Sequence, residues 1–320
     1  MKILVTVPLL PAYEKRMKVI EAEHEIRYST DQGAGRTDVE WADIILGNVS
    51  IDSLKEPENL KWIQLNSSGA DAYCKKGVLK PGTMLTNATG SYGAAIAEYM
   101  LGALLAINGN LMLYRDNQQK HEWKDMGSAL SVMGSKALIV GLGDIGGEFA
   151  KRLKALGCRV TGVRRNVSDK PDYADEVYPP EQLDSLLPSA DVVALCLPAS
   201  ASTEKLMNED RLNKMKNSAV LINVGRGSAV DTEALCRVLE KGHLRGAALD
   251  VTEPEPLPPE HRLWSCPNVF LTPHISGGYH TMITHEKILN VMFKNLELYL
   301  KGEELVNQVD FETGYRKHIS

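Results

Sequence analysis

The sequence lacks the compositional marks of fibrous, disordered and low-complexity chains. Glycine (26) and proline (15) are too few among 320 residues for a collagen-like or repetitive protein. Hydrophobic residues make up 43% and charged residues 24% of the chain, which is ordinary for a globular protein and excludes a disordered one. At roughly 100–200 residues per domain, this length predicts two domains, or at most three.

Long apolar runs and an excess of positive charge are also missing. No stretch of about 18 uncharged apolar residues occurs, so the sequence predicts no membrane-spanning helix. The first ten residues, MKILVTVPLL, have a very short apolar run and no small-residue cleavage site, and they favour a buried first strand over a secretion signal. The net charge of −5 argues against broad binding to nucleic acid. We therefore expect no nucleic-acid or membrane partner.

Cysteine is scarce and irregularly spaced. The five cysteines are an odd number, and no two form a CxxC pair, so they indicate neither a disulfide framework nor a zinc site. We expect no metal centre, thiols that serve as small core residues, and a reducing, cytoplasmic location. The cysteines are Cys74, Cys158, Cys196, Cys236 and Cys266.

Short apolar runs alternate with helical patterns along the chain. The runs are continuously apolar, which is typical of parallel strands covered by helices on both faces. The alternation predicts an α/β fold with right-handed crossovers. The predicted strands are Ile3–Val7, Ile44–Leu46, Trp62–Leu65, Met84–Thr86, Ala137–Val140, Arg159–Val163, Val192–Leu197, Ala219–Val224, Ala247–Val251 and Val269–Leu271. The predicted helices include Tyr13–Ala22, Ala70–Lys76, Ala94–Met112, Ile145–Leu156 and Thr281–Leu300.

Two of the predicted helices mark the domain organisation. We interpret the apolar segment Ala94–Met112 as the bridge from an N-terminal domain to a second one that starts near Gly134. Thr281–Leu300 is the helix that crosses back. The C-terminal tail, Lys301–Ser320, is then expected to complete the first domain.

A glycine-rich turn follows the predicted strand Ala137–Val140. The sequence Gly141-Leu142-Gly143-Asp144-Ile145-Gly146 has GxGxxG spacing and opens a helix, which is the context of a dinucleotide-binding turn. Gly141 allows the tight turn, Gly143 lets the backbone approach a pyrophosphate, and Gly146 lets helix and strand pack closely. The helix N-terminus then offers N–H groups and a positive dipole end to the phosphates. The alternative is a glycine-rich turn without a ligand.

The next strand, Arg159–Val163, ends where an NAD site carries an acidic residue for the adenosine ribose. Here Arg164, Arg165 and Asn166 follow instead. Guanidinium groups match the geometry of a phosphate, so this position favours a 2′-phosphate and hence NADP(H) over NAD(H). The alternative is a pair of solvated surface arginines.

Three later strands are each followed by a residue with catalytic chemistry. Arg226, Glu255 and His274 follow three successive predicted strands, and ligands of open α/β sheets bind beyond the carboxyl ends of the strands. An arginine can fork onto a substrate carboxylate and polarise its carbonyl, and a histidine can give a proton to the carbonyl oxygen. A carboxylate beside the histidine stabilises the imidazolium. This set of groups suits hydride transfer to a 2-keto acid, although each residue alone also has a purely structural explanation.

The motifs at these positions resemble those of the D-isomer-specific 2-hydroxyacid dehydrogenase family. The similar segments are GLGDIGGEFAKRLKALG, LINVGRGSAVDTEAL, GAALDVTEPEPLP and NVFLTPHISG, in the family's order. WIQLNSSGADAY and SYGAAIAEYMLGALLA extend the resemblance over nearly the whole chain.

The resemblance implies a role for each matching residue. Arg226 would bind substrate and take part in catalysis, Glu255 would be the acid partner, and His274 would give and accept the proton. Glu253 is the other candidate carboxylate, but its position does not match the family's catalytic glutamate. The resemblance also places at the cofactor Asp144, Ile145, Val224, Asp250 (near the nicotinamide) and Gly277.

A loop in the N-terminal region matches the family's substrate-carboxylate loop. The family binds the carboxylate partly through backbone N–H groups, and Ser68-Gly69-Ala70 stands at that place here. A strand end followed by Gly69 can present such a nest of N–H groups. The alternative is an ordinary strand-to-helix turn.

These observations lead to one prediction of fold and function. We expect a smaller, flavodoxin-like α/β substrate domain (residues 1–99 and 282–320) and a Rossmann dinucleotide-binding domain with a doubly wound parallel sheet (residues 100–281). The predicted reaction interconverts a 2-keto acid and a D-2-hydroxy acid with NADP(H) preferred, as in a glyoxylate or hydroxypyruvate reductase. The alternatives are an NAD-linked phosphoglycerate or glycerate dehydrogenase and, in another class, a dinucleotide-sensing corepressor or scaffold. The resemblance also implies a homodimer, with the Ala94–Met112 region as a contact.

Overall fold

The computed structural model describes residues 1–312, apart from the side chain of His280. The chain forms two compact units, of which one combines Met1–Tyr92 with the chain from Gly278 onward and the other is Gly93–Gly277. Residues 313–320 of the predicted tail lie outside the described residues.

The elements follow one another in strand–helix alternation. The first unit opens with β1 (Lys2–Val5), α1 (Pro11–Glu21), β2 (Glu25–Tyr28), α2 (Arg36–Trp41), β3 (Ile44–Leu46), α3 (Ile51–Leu54), β4 (Trp62–Gln64) and β5 (Met84–Thr86). The second unit contains α4 (Gly93–Asn108), α5 (Leu111–Gln119), β6 (Lys136–Val140), α6 (Asp144–Ala155), β7 (Arg159–Val163), β8 (Glu176–Tyr178), α7 (Leu183–Leu186), β9 (Val192–Leu195), α8 (Glu209–Lys214), β10 (Val220–Asn223), α9 (Thr232–Glu240), β11 (Gly246–Leu249) and β12 (Val269–Leu271). The first unit then receives the long helix α10 (Met282–Lys301).

The first unit is built on a five-stranded parallel sheet in the order β2-β1-β3-β4-β5. This is the flavodoxin order, and the predicted flavodoxin-like fold is confirmed. The strand β2 was not predicted because it lies at the sheet edge, where Glu25 and Arg27 are exposed and interrupt the apolar pattern. The core on one face joins β1 to Met292, Phe293 and Leu296 of α10, so the C-terminal helix is part of this unit.

The second unit is built on a seven-stranded parallel sheet in the order β12-β11-β10-β9-β6-β7-β8. The strand order reverses between β6 and β9, which is the topological switch point of a doubly wound Rossmann sheet. The predicted Rossmann fold is therefore confirmed. The edge strand β8 (Glu176–Tyr178) was missed, since only three partly buried residues form it.

Two predicted helices were wrong in detail. Ala70–Lys76 forms only turns, because Gly77 with φ +84° ends the segment after one hydrogen-bonded turn and only Ala70 and Tyr73 are buried.

Ala94–Met112 is not one helix but parts of α4 and α5, which meet at a bend of 68°. Asn110 has a left-handed backbone (φ 56°), and its amide nitrogen lies 3.3 Å from the carbonyl oxygens of Met126 and Gly127. In the described part of the chain no single helix is long and apolar enough to cross a membrane, although this bent pair reaches that composition when its two helices are counted together.

A buried polar network attaches α10 to the sheet of the first unit. The amide nitrogen of Asn295 donates to Gln64 Oε1 (2.7 Å) and to the Val306 carbonyl (2.9 Å), and Asn295 Oδ1 accepts from the Val306 N–H (2.8 Å). Gln64 Oε1 also accepts from Thr86 Oγ1 (2.8 Å). The side chains of Gln64, Thr86 and Asn295 have no exposed surface, so water cannot reach them and their polar groups depend on these hydrogen bonds.

Replacing Asn295 by leucine should destabilise the protein. The change leaves both backbone groups of the half-buried Val306 without their partner, at a cost of up to roughly 1–3 kcal/mol for each unpaired group. Urea denaturation of N295L measures the loss. The exposed Asn59, which donates one hydrogen bond to the Glu40 carbonyl, is the matched control, and N59L should change the free energy of unfolding by less than about 0.5 kcal/mol.

Candidate active site

The dinucleotide turn connects β6 to α6 in the second unit. Gly141 has φ +100°, and a Cβ there would lie 2.6 Å from the Cys196 carbonyl oxygen. A Cβ on Gly146 would lie 1.9 Å from the Gly141 carbonyl oxygen, so only glycine fits where helix and strand meet. Gly143, at the N-cap of α6, is exposed and has no protein atom within 4 Å of a built Cβ. The helix N-terminus is thus open to a ligand on the side where a pyrophosphate would bind, and the residues fit a dinucleotide.

Asp144 has a structural role besides the one that the resemblance implies. Its carboxylate accepts a hydrogen bond from the N–H of Gly93 (2.8 Å), the first residue of α4. A Cβ on Gly93 would lie 2.4 Å from Asp144 Oδ1, so the close approach needs glycine. Asp144 therefore caps α4 from the turn and fixes the two helices against each other.

The two arginines after β7 stand at the predicted position. Arg164 donates from Nε to the Asn166 carbonyl and from Nη2 to the Asp169 carbonyl, so its guanidinium is held over the strand end by its own loop. These two bonds use two of its five N–H donors. Arg165 is exposed. A guanidinium held in place loses less side-chain entropy when it binds an anion.

Arg226 stands between two glycines that the surrounding backbone requires. A Cβ on Gly225 would lie 2.3 Å from the Leu197 carbonyl oxygen, and one on Gly227 would lie 1.8 Å from that of Thr252. The loops after β9 and β11 therefore press on both sides of the turn.

Asn223, the last residue of β10, locks the same turn from inside. Its side chain has no exposed surface; it accepts from the N–H of Gly225 (3.1 Å) and donates to the Arg226 carbonyl (2.9 Å). Val224, which the resemblance places at the cofactor, is buried beside it. The backbone of Arg226 is thereby fixed before any substrate binds.

Glu255 and His274 form a hydrogen-bonded pair. His274 Nδ1 lies 2.6 Å from Glu255 Oε1, and both side chains are about half exposed (51% and 41%). A carboxylate can only accept, so the imidazole carries its hydrogen on Nδ1. The remaining nitrogen, Nε2, is the one that can exchange a proton with a bound molecule. Of the two candidate carboxylates, Glu255 and not Glu253 makes this contact.

Asp250 organises the segment that carries His274. Its carboxylate, only 1% exposed, accepts from Thr272 Oγ1 (2.6 Å), Ile275 N (2.9 Å) and Ser276 N (3.0 Å), and also from the Ser276 hydroxyl. The Asp250 carbonyl accepts from the N–H of His274 (2.8 Å). His274 itself has a left-handed backbone (φ 54°), which a non-glycine residue adopts only when its surroundings enforce it.

A tyrosine that the sequence did not single out extends this network. Tyr99, on α4, lies with its hydroxyl 2.6 Å from Thr272 Oγ1, which in turn bonds Asp250. Burial raises the pKa of Tyr99 to about 12, so the hydroxyl stays protonated and can donate. Thr272 lies within the recognised TPHIS segment, but Tyr99 is remote in sequence and no local pattern points to it.

The loop after β4 in the first unit has an unusual distribution of hydrogen bonds. Four consecutive carbonyl oxygens, those of residues 66–69, each accept a hydrogen bond. The Asn66 carbonyl accepts from the Tyr92 hydroxyl, and the Ser67 carbonyl accepts from the N–H of Ala88 (2.9 Å). The Ser68 carbonyl accepts from Asn87 Nδ2 (2.8 Å), and the Gly69 carbonyl accepts from the Ser67 hydroxyl (2.8 Å). Within residues 1–312, the N–H groups of residues 67–70 donate to no acceptor. Because N–H and C=O point in opposite directions across a trans peptide, the fixed carbonyls also fix these N–H directions.

The structure therefore groups the predicted residues by unit. Arg226, Glu255 and His274 follow the neighbouring strands β10, β11 and β12 of the second unit, whose β6 leads into the dinucleotide turn. Ser68 and Gly69 belong to the first unit. Among the described residues no group of three or more His, Cys, Asp or Glu side chains is arranged to hold a metal ion.

Comparison with known proteins identifies the family. The sequence model of one protein family, the D-isomer specific 2-hydroxyacid dehydrogenase NAD binding domain, matches residues 101–276. The chain belongs to the D-isomer specific 2-hydroxyacid dehydrogenase family. This dehydrogenase is therefore an NAD(P)-dependent oxidoreductase, and residues 101–276 are its NAD-binding domain.

Relatives and solved structures agree with this assignment. A glyoxylate reductase from Thermofilum pendens is 34% identical to the dehydrogenase over 267 residues, which are 81% of this chain and 78% of that protein. A solved family member from Aeromonas salmonicida has a TM-score of 0.84 at 29% identity, covering 97% of this chain and 99% of its own. A member from Xanthobacter autotrophicus Py2, solved in complex with NADPH, has a TM-score of 0.79 at 25% identity, covering 98% of this chain and 99% of its own.

Two glycine substitutions should separate stability from cofactor binding. G143A places a Cβ in open space, so the melting temperature should stay unchanged while the Kd for NADPH rises about tenfold or more, because the methyl group blocks the approach of a pyrophosphate. G146A should instead lower the melting temperature, because its Cβ meets the Gly141 carbonyl. NADPH fluorescence titration and thermal melts measure both. Unchanged NADPH affinity in a folded G143A protein would contradict the cofactor position.

Proposed function

We propose that the dehydrogenase reduces a small 2-keto acid, of the glyoxylate or hydroxypyruvate kind, to a D-2-hydroxy acid, with NADPH preferred. The observation that carries this proposal is the Glu255–His274 pair, whose two residues follow β11 and β12, next to β10 and the turn that carries Arg226. The name of the relative from Thermofilum pendens supports the substrate class. Phosphoglycerate dehydrogenase activity and a non-catalytic sensing role are outcomes that the substrate test below distinguishes.

His274 is the proposed proton donor. When bound, the reduced nicotinamide supplies the hydride to the carbonyl carbon. As an imidazolium, His274 gives its Nε2 proton to the carbonyl oxygen and becomes a neutral imidazole, and Glu255, which accepts from Nδ1, stabilises the imidazolium before the transfer. In the oxidative direction the same nitrogen accepts the proton from the hydroxyl group.

Arg226 and the loop of residues 67–70 are the proposed substrate anchors. The guanidinium binds the carboxylate and polarises the carbonyl, which favours the negative charge that develops on oxygen. The N–H groups of residues 67–70, among them those of Ser68 and Gly69, donate to no acceptor within residues 1–312 and suit a carboxylate. Residues 1–99 and 282–320 would thus form the substrate domain and residues 100–281 the dinucleotide domain; the compact units divide at Tyr92 and Gly277.

A homodimer in the cytoplasm completes the proposal. The segment after α4 exposes large apolar side chains, among them Leu111 (56%), Trp123 (105%) and Met133 (76%), which a second copy of the chain would cover. The five cysteines are free thiols, which agrees with a reducing compartment.

Substitutions in the trio should lower activity without loss of the fold. We expect kcat/KM for glyoxylate and hydroxypyruvate to fall about 10²–10⁴-fold in H274A and about 10²–10³-fold in R226A. R226K restores the charge but not the fork and should recover only part of the loss. E255Q should lose less than H274A, because the amide oxygen still accepts from Nδ1. NADPH oxidation at 340 nm measures all four.

The matched control for this series is H24A, in the first unit, which should keep wild-type activity. Near-normal turnover by folded H274A or R226A would contradict the assignment. Preference for 3-phosphohydroxypyruvate over hydroxypyruvate would favour a phosphoglycerate dehydrogenase. A wild-type protein that binds NADPH but reduces no keto acid would favour a sensing role.

Cofactor preference should depend on the two arginines after β7. Wild-type kcat/KM should be higher with NADPH than with NADH. R164A and R165A should each lower the NADPH value about tenfold and leave the NADH value unchanged, because only the 2′-phosphate needs the guanidinium. R159A, at the other end of β7, is the control and should affect neither. A wild-type preference for NADH would refute this aspect of the proposal.

A further inference from the structure

Asn66 stands where β4 ends and the run of open N–H groups begins. It is half-buried and lines a cavity of about 700 Å³ in the first unit, at the carboxyl ends of β1, β2 and β4, together with Tyr279. Nothing in the proposed chemistry requires an asparagine here, because the trio lies in the other unit and the loop binds through its backbone.

Each polar group of Asn66 has a partner. Its N–H donates to Asn48 Oδ1 (3.1 Å), and its own Oδ1 accepts from the N–H of Asn48 (2.7 Å), so the two asparagines clasp each other reciprocally. Its Nδ2 donates to the Tyr279 hydroxyl, and its carbonyl accepts from the Tyr92 hydroxyl. A residue held at four points has little freedom to rotate its peptide.

The partners of Asn66 are themselves attached to the strand ends. The Asn48 carbonyl accepts from Oγ1 of Thr6, which is buried just after β1 (2.7 Å). The Tyr279 ring packs on the imidazole of His285 in α10, with ring centroids 4.7 Å apart, and His285 Nε2 lies 2.8 Å from the Pro8 carbonyl. The ends of β1, β3 and β4 and the start of α10 thus hold one asparagine.

The consequence for the loop follows from peptide geometry. The carbonyl of Asn66 and the N–H of Ser67 belong to the same planar trans peptide and point in opposite directions. Whatever fixes Asn66 therefore fixes the direction of the first open N–H and the start of the loop that presents the others. Groups held in place before binding give affinity, because no ordering cost is paid on association.

We propose that Asn66, held by Asn48 and Tyr279, is a positioning residue that orients the N–H groups of residues 67–70 toward the substrate carboxylate. This inference rests on the proposed function, because it takes the loop as the carboxylate site. Asn66 touches neither the transferred hydride nor the proton, so its loss weakens substrate binding more than turnover.

The test compares the KM for glyoxylate, kcat and the inhibition constant of oxalate, an unreactive carboxylate, in NADPH-saturated enzyme. In N66A we expect KM and the oxalate constant to rise together by about tenfold, with kcat and the NADPH Kd within about threefold of wild type. N48A removes the clasp from the other side and should shift the same two constants. The double variant N48A/N66A should be no worse than N66A, because one network is lost once.

The control N59A removes an exposed asparagine that also donates to a backbone carbonyl, and it should leave every constant unchanged. Thermal melts establish that the variants are folded, and N48A serves if N66A is not. Unchanged KM and oxalate constants in folded N66A and N48A would overturn the proposal, as would a parallel rise in the NADPH Kd. If the wild type reduces no keto acid, the proposed function fails, and oxalate binding by calorimetry alone decides the positioning role.

Discussion

A buried carboxylate is stable only when hydrogen-bond donors surround it, and the arrangement of the active site depends on how Asp250 meets that condition. Its donors come from residues 272–276, so the side chain that must be satisfied also determines the path of the loop. The left-handed backbone of His274 is a consequence of that path. The groups proposed to react are half exposed, whereas those that hold them are buried and do not react. The position of His274 at the strand end is thus set by the buried carboxylate of Asp250.

The features of the site that could be predicted are those with a local sequence pattern. Gly141, Gly143 and Gly146 stand at fixed spacing after an apolar run. The backbone leaves no room for a Cβ at Gly141 and Gly146, whereas Gly143 borders open space at the start of α6. The positions of Arg226 and His274 followed from counting strand ends in a parallel sheet, where all carboxyl ends meet at one edge. Even the choice of Glu255 over Glu253 was available from the motif, and the contact with His274 agrees with it.

The features that could not be predicted depend on partners remote in sequence. Tyr99 bonds Thr272 across 173 positions, and Asn66 bonds Tyr279 across 213, so no window of sequence contains both members. The single helix expected over Ala94–Met112 was wrong for a related reason. Apolar residues stand on both sides of Gly109 and Asn110, but Asn110 has a left-handed backbone and its side-chain amide donates to a loop that follows α5. The spacing of apolar residues indicates which side chains are buried, but burial alone does not keep a helix straight.

The discontinuous first unit has a consequence for the order of events during synthesis. The second unit is one uninterrupted stretch of chain and has its complete core once Gly277 has left the ribosome. The sheet that contains β1 is made first but still lacks Phe293 and Leu296, which cover one of its faces. Its apolar strands therefore stay exposed until α10 has been made, while the second unit can already fold. In this protein the first unit is completed after the second.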